Sequence, residues 1–318
     1  MRRGIFGPSA QVGAALLALI GCPSREGSPP TEPPPRTTET PAEPQAPETP
    51  ASAQETLRTL AVESFRPVGI DEVRFHVRFA DGREGTYIPS EARRPRRGQA
   101  EVAAARLATY LEIADRRVVL REFSLDEIEA ALDESARPAW GELRSQMHVV
   151  EERVVGALGP WDTGVRDLRR TEPDRLQGMT ARLLGMDVIA EDDLELYASL
   201  SQMVIFDHLL GVRRRDVVVD GEGTLRFESN GSAFPETVPF EQQRLLRRDL
   251  MRTRRFPRGL LERLRSLTGS ELRRILASEP TLLTEPQLRG VENRRDAILS
   301  YTRSWIDQAG EERIVVFR

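Results

Sequence analysis

Between Glu72 and Phe79 apolar and polar residues alternate (EVRFHVRF), Asp81-Gly82 follows, and Glu84 to Ile88 resumes an extended pattern. Two such runs around a tight turn predict a β-hairpin. An arginine-rich loop, Arg93 to Arg97, gives way to Gln99–Ile113 (QAEVAAARLATYLEI), helical by apolar period and alanine content. Ser124 with Glu127 forms a capping box that opens a short helix to Asp133. Asp192 to Leu210 carries apolar residues at helical spacing and stops at Gly211, a residue suited to a helix C-terminus. Two short strands are predicted next, Asp216–Val219 and Thr224–Glu228, joined by Asp220-Gly221-Glu222-Gly223. Three or four helices follow, the last from about Thr284 to Gln308, closing at Gly310, and Ile314 to Phe317 (IVVF) reads as a terminal strand. A β-rich first lobe followed by a helical second lobe with one internal hairpin predicts an α+β fold, with folded sequence beginning near Glu55.

The first 22 residues carry a different pattern. Arg2 and Arg3 precede the apolar run Val12 to Ile20, and Leu19-Ile20-Gly21-Cys22 follows. That order describes a secretory signal, and the run is too short to span a bilayer as a helix. Cys22 is the chain's single cysteine. The four residues resemble a bacterial lipobox, which implies that Cys22 takes a diacylglyceryl group and palmitate-type acyl chains and becomes the mature N-terminus. More than one acyl chain holds a protein firmly to a membrane. Pro23, not Asp, follows the cysteine, and in proteobacterial lipoproteins this implies sorting to the outer membrane. Pro23 to Pro50 contains ten of the 22 prolines and almost nothing apolar, which predicts an unfolded, extended tether.

Composition narrows the chemistry. All 46 basic residues are arginine, so no lysine exists anywhere in the protein. Without Arg2 and Arg3 the mature chain has 44 arginines against 50 acidic groups, a net charge of −6, which predicts no general nucleic-acid partner. His76, His148 and His208 are the three histidines, and no pair has metal-ligand spacing. His208, on the helix before Gly211, reads as structural, as does Asp207. No serine sits in a G-x-S-x-G setting.

Three segments together resemble the secretory-pathway protein kinases of the Golgi casein kinase type and their phosphatidylinositol 3- and 4-kinase-like relatives. Tyr87-Ile88-Pro89 is similar to the family's F-K-P strand, and Ala100 to Leu107 (AEVAAARL) to its E-(I/V)-A-A-x-x-L helix. Phe206 to Phe234 is similar to F-D-x-L-(I/L)-G-N-x-D-R-H-x-x-N, a hairpin, then D-N-G-x-x-F. The resemblance runs from about Val73 to the C-terminus and implies a protein-kinase-like two-lobe fold. It also locates three losses. Ile88 stands where the phosphate-binding lysine would be, leaving Glu101 without its ion-pair partner. Gly211-Val212-Arg213-Arg214-Arg215-Asp216 is about three residues shorter than the family's catalytic loop and has no counterpart of the general base. In Glu228-Ser229-Asn230-Gly231, Ser229 replaces the metal-binding aspartate. Phosphoryl transfer depends on positioning and charge neutralisation by the three missing groups together.

The expected organisation is a signal peptide (1–21), a lipidated Cys22 with tether (22–54), a kinase-like N-lobe (55–145) and a helical C-lobe (146–318). The expected function is that of a lipid-anchored envelope protein of a Gram-negative bacterium whose pseudokinase domain binds an envelope protein or an anionic ligand, without a cofactor. The alternative is a divergent phosphotransferase or nucleotidyl transferase using ATP with Mg²⁺ or Mn²⁺. Glu101, Asp216 and Glu228 would then be residual catalytic candidates, Asp216 a metal candidate, and Ile88, Ser229, Asn230 and Gly231 the altered cofactor positions. Arg213, Arg214 and Arg215 are candidates for anion binding. Arg244 to Arg265, with nine arginines and two acids, could face anionic lipid but reads first as the solvated side of two amphipathic helices burying Leu245, Leu246, Leu250, Leu260, Leu261 and Leu264.

Overall fold

A computed structural model describes residues 50–68, 72–113, 117–161, 164, 166–184, 189–190, 194–212, 216–219, 225–228, 230–276 and 282–317. Cys22, Arg213, Arg214, Arg215 and Ser229 lie outside them. The described chain starts with helix α1 (Pro50–Thr59), five residues ahead of the expected Glu55.

The alternating segment forms the predicted hairpin, β2 (Phe75–Phe79) and β3 (Glu84–Pro89), antiparallel with Phe75 opposite Tyr87. Strand β1 (Val62–Pro67) flanks β2. Two strands with no clear alternation, β4 (Val119–Ser124) and β5 (Arg153–Pro160), complete a five-stranded antiparallel sheet in the order β1-β2-β3-β5-β4. The sheet of the first lobe therefore extends past the expected junction at 145/146, and the helical part begins after Pro160.

Register divides the sheet's two faces, because successive strand side chains point to opposite sides. Tyr87 and Val119 both pair with Leu158, and all three are buried in one cluster with Phe65, Phe75 and Phe123. The rings of Phe65 and Tyr87 meet Phe123 edge-on at 5.1 and 5.0 Å, and the Tyr87 hydroxyl donates to Val154 O at 2.8 Å. Helices α3 (Leu125–Ala130) and α4 (Trp140–Gln146) cover this face through Leu125, Ile128 and Trp140. The Ser124–Glu127 capping box is formed in both directions.

The opposite face carries Ile88, Ala157 and Leu120, which are register neighbours and pack against the cluster containing α2 (Arg97–Tyr110). Ten of the 14 residues of α2 are buried, which explains its alanine content: a helix enclosed on nearly all sides needs small side chains. It starts two residues earlier than predicted, where Ser90 Oγ accepts from Gly98 N at 3.3 Å. A Cβ on Gly98 would stand 2.9 Å from Gly156 Cα, so two glycines allow α2 to lie directly on β5.

The remainder is helical apart from a small sheet, β6 (Arg166–Asp167), β7 (Asp216–Val219) and β8 (Leu225–Glu228). Short helices α5 (Leu168–Thr171) and α6 (Pro173–Leu184) pack on this sheet with α7 (Leu194–Leu210). Gly211 follows α7 at φ +69°. Helices α8 (Phe240–Arg252), α9 (Arg258–Ser266), α10 (Gly269–Leu276) and α11 (Glu285–Ala309) come next, α11 opened by a reciprocal Thr284–Gln287 capping box. The terminal IVVF is not a strand: Ile314 ends the short helix α12 (Glu311–Ile314), and Phe317 makes a single bridge to Pro257. The arginines of 244–265 lie on α8, α9 and the segment between them, with Leu246, Leu250, Leu260, Leu261 and Leu264 buried and Leu245 half-buried. Arg244, Arg248, Arg258 and Arg263 pair with Glu241, Asp249, Glu311 and Glu112 on the surface, as a solvated face predicts. Among the described residues no helix is long and apolar enough to cross a membrane.

Candidate functional site

The segments that carried the resemblance converge between the sheet and the helical part. Ile88 on β3 is half-buried and packs on the same cluster that holds α2, Val212, Ala233 and Phe234. Val212 is 4 % exposed and its N–H donates to Asp207 O at 3.1 Å. The two residues flanking the expected phosphate position thus belong to a continuous apolar core.

Glu101 is 4 % exposed, and its Oε1 has no hydrogen-bond partner among the described residues. A buried carboxylate is costly unless a cation compensates it. Arg97 stands one turn earlier on the same helix and feels the Glu101 charge less than those of Glu72 and Glu91.

Arg97 is the feature that sequence reasoning missed, having read the run from Arg93 as a loop. It is 1 % exposed, forms ion pairs with both Glu72 and Glu91, and donates from Nη1 to Val73 O at 3.3 Å. Burial pushes its pKa below the ordinary arginine range, while Glu72 and Glu91 oppose that shift. Its neighbour Arg94 binds the same two carboxylates, at 3.0 Å to Glu72 and 2.8 Å to Glu91, and donates to Ser232 Oγ at 3.3 Å. The Arg97 stem rests on the turn after β8. A Cβ on Gly231 would stand 2.5 Å from Arg97 Cγ, so this glycine is required by close approach.

Asn230 is 4 % exposed in the same turn. Phe234 closes the turn in the left-handed region at φ +59°, an outlier for a bulky residue. Its N–H donates to Leu210 O at 2.9 Å, its carbonyl accepts from Gln287 Nε2 at 2.7 Å, and its ring is fully buried. Such strain, about 1–3 kcal/mol, persists only where surroundings over-determine it.

Of the other candidates, Asp216 and Glu228 stand directly opposite each other in the β7–β8 register; their backbones are described and their side chains are not. Arg213, Arg214, Arg215 and Ser229 are outside the described residues. No cluster of three metal-ligating side chains occurs among the described residues. His208 is buried, and desolvation lowers its pKa to about 4, keeping it neutral. Arg294 on α11 donates from Nε to Leu209 O at 2.8 Å, holding the end of α7; burial lowers its pKa to about 10.

No protein-family model and no curated protein matches this chain. Solved structures do. A Golgi casein kinase is 13 % identical, with a TM-score of 0.61 over 84 % of this chain and 78 % of that one. The Golgi casein kinase with Mn/ADP bound is 14 % identical, with a TM-score of 0.62 over the same shares. Hydra Fam20 with sugar is 15 % identical, with a TM-score of 0.61 over 84 % of this chain and 92 % of that one. The fold is the protein-kinase-like α+β arrangement of these structures, a β-rich lobe followed by a helical lobe.

Proposed function

We propose that this is a lipid-anchored protein of the bacterial cell envelope whose kinase-like domain binds a partner without transferring phosphate. Cys22 carries the acyl chains and residues 22–54 include the tether, so the domain works close to a membrane surface, that of the outer membrane. The observation that carries the reading is at Ile88. The residue that the resemblance sets at the phosphate-gripping lysine is half-buried and packs against the core, and arginine is the sole basic residue type available to replace that lysine. A planar guanidinium and a compact ammonium are not interchangeable at such a site. Arg97, one turn before Glu101 on α2, is already held by Glu72 and Glu91.

A second reading is favoured by one feature. Asp216 and Glu228 pair across β7 and β8, and a solved structure with this fold contains Mn and ADP. A divergent phosphotransferase or nucleotidyl transferase would use these carboxylates to hold a metal nucleotide. Thermal unfolding of the protein with ATP and Mg²⁺ or Mn²⁺ separates the two. At about 100 times its dissociation constant a ligand adds roughly 2.7 kcal/mol to stability. The binding-module reading expects no metal-dependent shift at millimolar nucleotide; a clear shift, abolished by Asp216→Ala, would overturn it.

A further inference from the structure

Beside Arg97, but away from Ile88 and Glu101, a pocket of about 390 Å³ opens where the turn after β8 meets the entry to α2. Its volume is in the range of small-ligand sites. Two kinds of surface line it. Ala233, Phe234, Leu282 and Leu283 are apolar and at most 6 % exposed, so they form a floor already removed from water. Arg94, Arg96 and Arg97 also line it, Arg96 Nη2 donating to Leu282 O at 3.1 Å, and the described lining contains no aspartate or glutamate. Glu72 and Glu91 lie outside the lining and brace Arg94 and Arg97 from there.

The pocket is open to solvent, and several details mark it as a built site. Arg97 is fully enclosed and its Nε is a buried donor with no hydrogen-bond partner among the described residues. Arg94 Nη1 reaches exposed Ser232 Oγ at 3.3 Å, a long contact that a better acceptor would displace. Phe234, on the floor, is held in its left-handed conformation from both sides by Leu210 and Gln287. Strain retained at a pocket wall is a mark of a shaped site.

We infer that this pocket binds a small ligand with one oxyanion, carboxylate or phosphate, on a compact apolar body. The oxyanion takes the place of Ser232 Oγ at Arg94 Nη1, where a charge-assisted hydrogen bond is stronger than the one it replaces. The apolar body lies on Phe234, Leu282 and Leu283. Ile88 and Glu101 do not line the pocket, whereas Gly231 of the turn after β8 does, so the probes contain no nucleotide and read the oxyanion alone.

The test is thermal unfolding of the full-length protein with phenyl phosphate, phenylacetate, or neutral benzyl alcohol. At about ten times its dissociation constant, a bound anion should raise the midpoint by about 3 °C, and benzyl alcohol should not. The larger of the two anion shifts identifies the preferred oxyanion. Ser232→Glu places a carboxylate beside Arg94 and should abolish both shifts, whereas Ser232→Ala should preserve them. Ser232 is exposed, so both variants keep the fold. Equal shifts with benzyl alcohol, no shift with either anion, or shifts that survive Ser232→Glu would each overturn the assignment.

Discussion

Replacing Arg97 by methionine isolates its charge, because an unbranched apolar chain still covers Gly231 while the guanidinium is lost. The cost follows from what remains. Removing one member of a buried ion pair strands the other, typically about 3–5 kcal/mol. Two features reduce that figure here. Arg94 keeps its bonds to both carboxylates, at 3.0 and 2.8 Å. Glu72 is 37 % exposed, so water screens it, whereas Glu91 is 13 % exposed and is not rescued in that way. The expectation is a loss of about 2–3 kcal/mol in urea unfolding of the full-length protein, appearing as a lower midpoint with an unchanged slope. Arg94→Met is the matched control. Its side chain is 30 % exposed and touches the same acids, and its loss should cost about 1 kcal/mol or less. If the two variants lose equal stability, Arg97 is not the centre of the network and the argument from its burial fails.

His208 should make stability pH-dependent. Its folded pKa of about 4 is below the unfolded value near 6.5, so the unfolded chain takes up a proton first. The contribution is complete above pH 6.5 and is lost as pH falls toward 4, by at most about 3 kcal/mol, and His208→Leu should flatten that part of the profile. Gly231→Ala should cost about 1–3 kcal/mol through overpacking against Arg97, and less in an Arg97→Ala background. Cys22→Ser should move the protein from the membrane to the soluble fraction of cells; retention in the membrane would sink the lipid-anchor reading.

The sequence made the fold visible where one physical signal dominated. The β2–β3 hairpin alternates and its turn is Asp-Gly; α3 announces itself by a capping box; α7 ends at a glycine. Strand β5 did not show, since RVVGALGP lies in mid-sheet with both faces covered, and a covered strand reads as an apolar run without period. IVVF failed in the opposite sense: β-branched residues suggested a strand, but packing against helices decided the conformation. In the candidate site, the resemblance located Ile88, Glu101 and the Asn230-Gly231 turn. It could not locate Arg97. The run from Arg93 to Arg97 looks like any solvated basic loop until Glu72, Glu91 and Gly231, remote along the chain, are brought onto it.

That placement changes how the helix at the heart of the site is held. In a kinase the strand lysine and the helix glutamate form an ion pair that ties helix to sheet around the phosphates. Here Arg97, one turn before Glu101 on α2, ties the helix entry to Glu72 and Glu91, which flank β2 and β3. Further links to the sheet are made by Gly98 lying on Gly156, by Ser90 Oγ at the Gly98 N–H, and by alanines against Ile88, Leu120 and Ala157. None of these contacts involves a group that a nucleotide phosphate would bridge. The position of α2 on the sheet is therefore set by side-chain and backbone packing. At its entry, the helix is fastened to the Gly231–Phe234 turn through Arg94 and Arg97, both of which line the pocket described above. A ligand bound there would act on the domain at the mouth of α2.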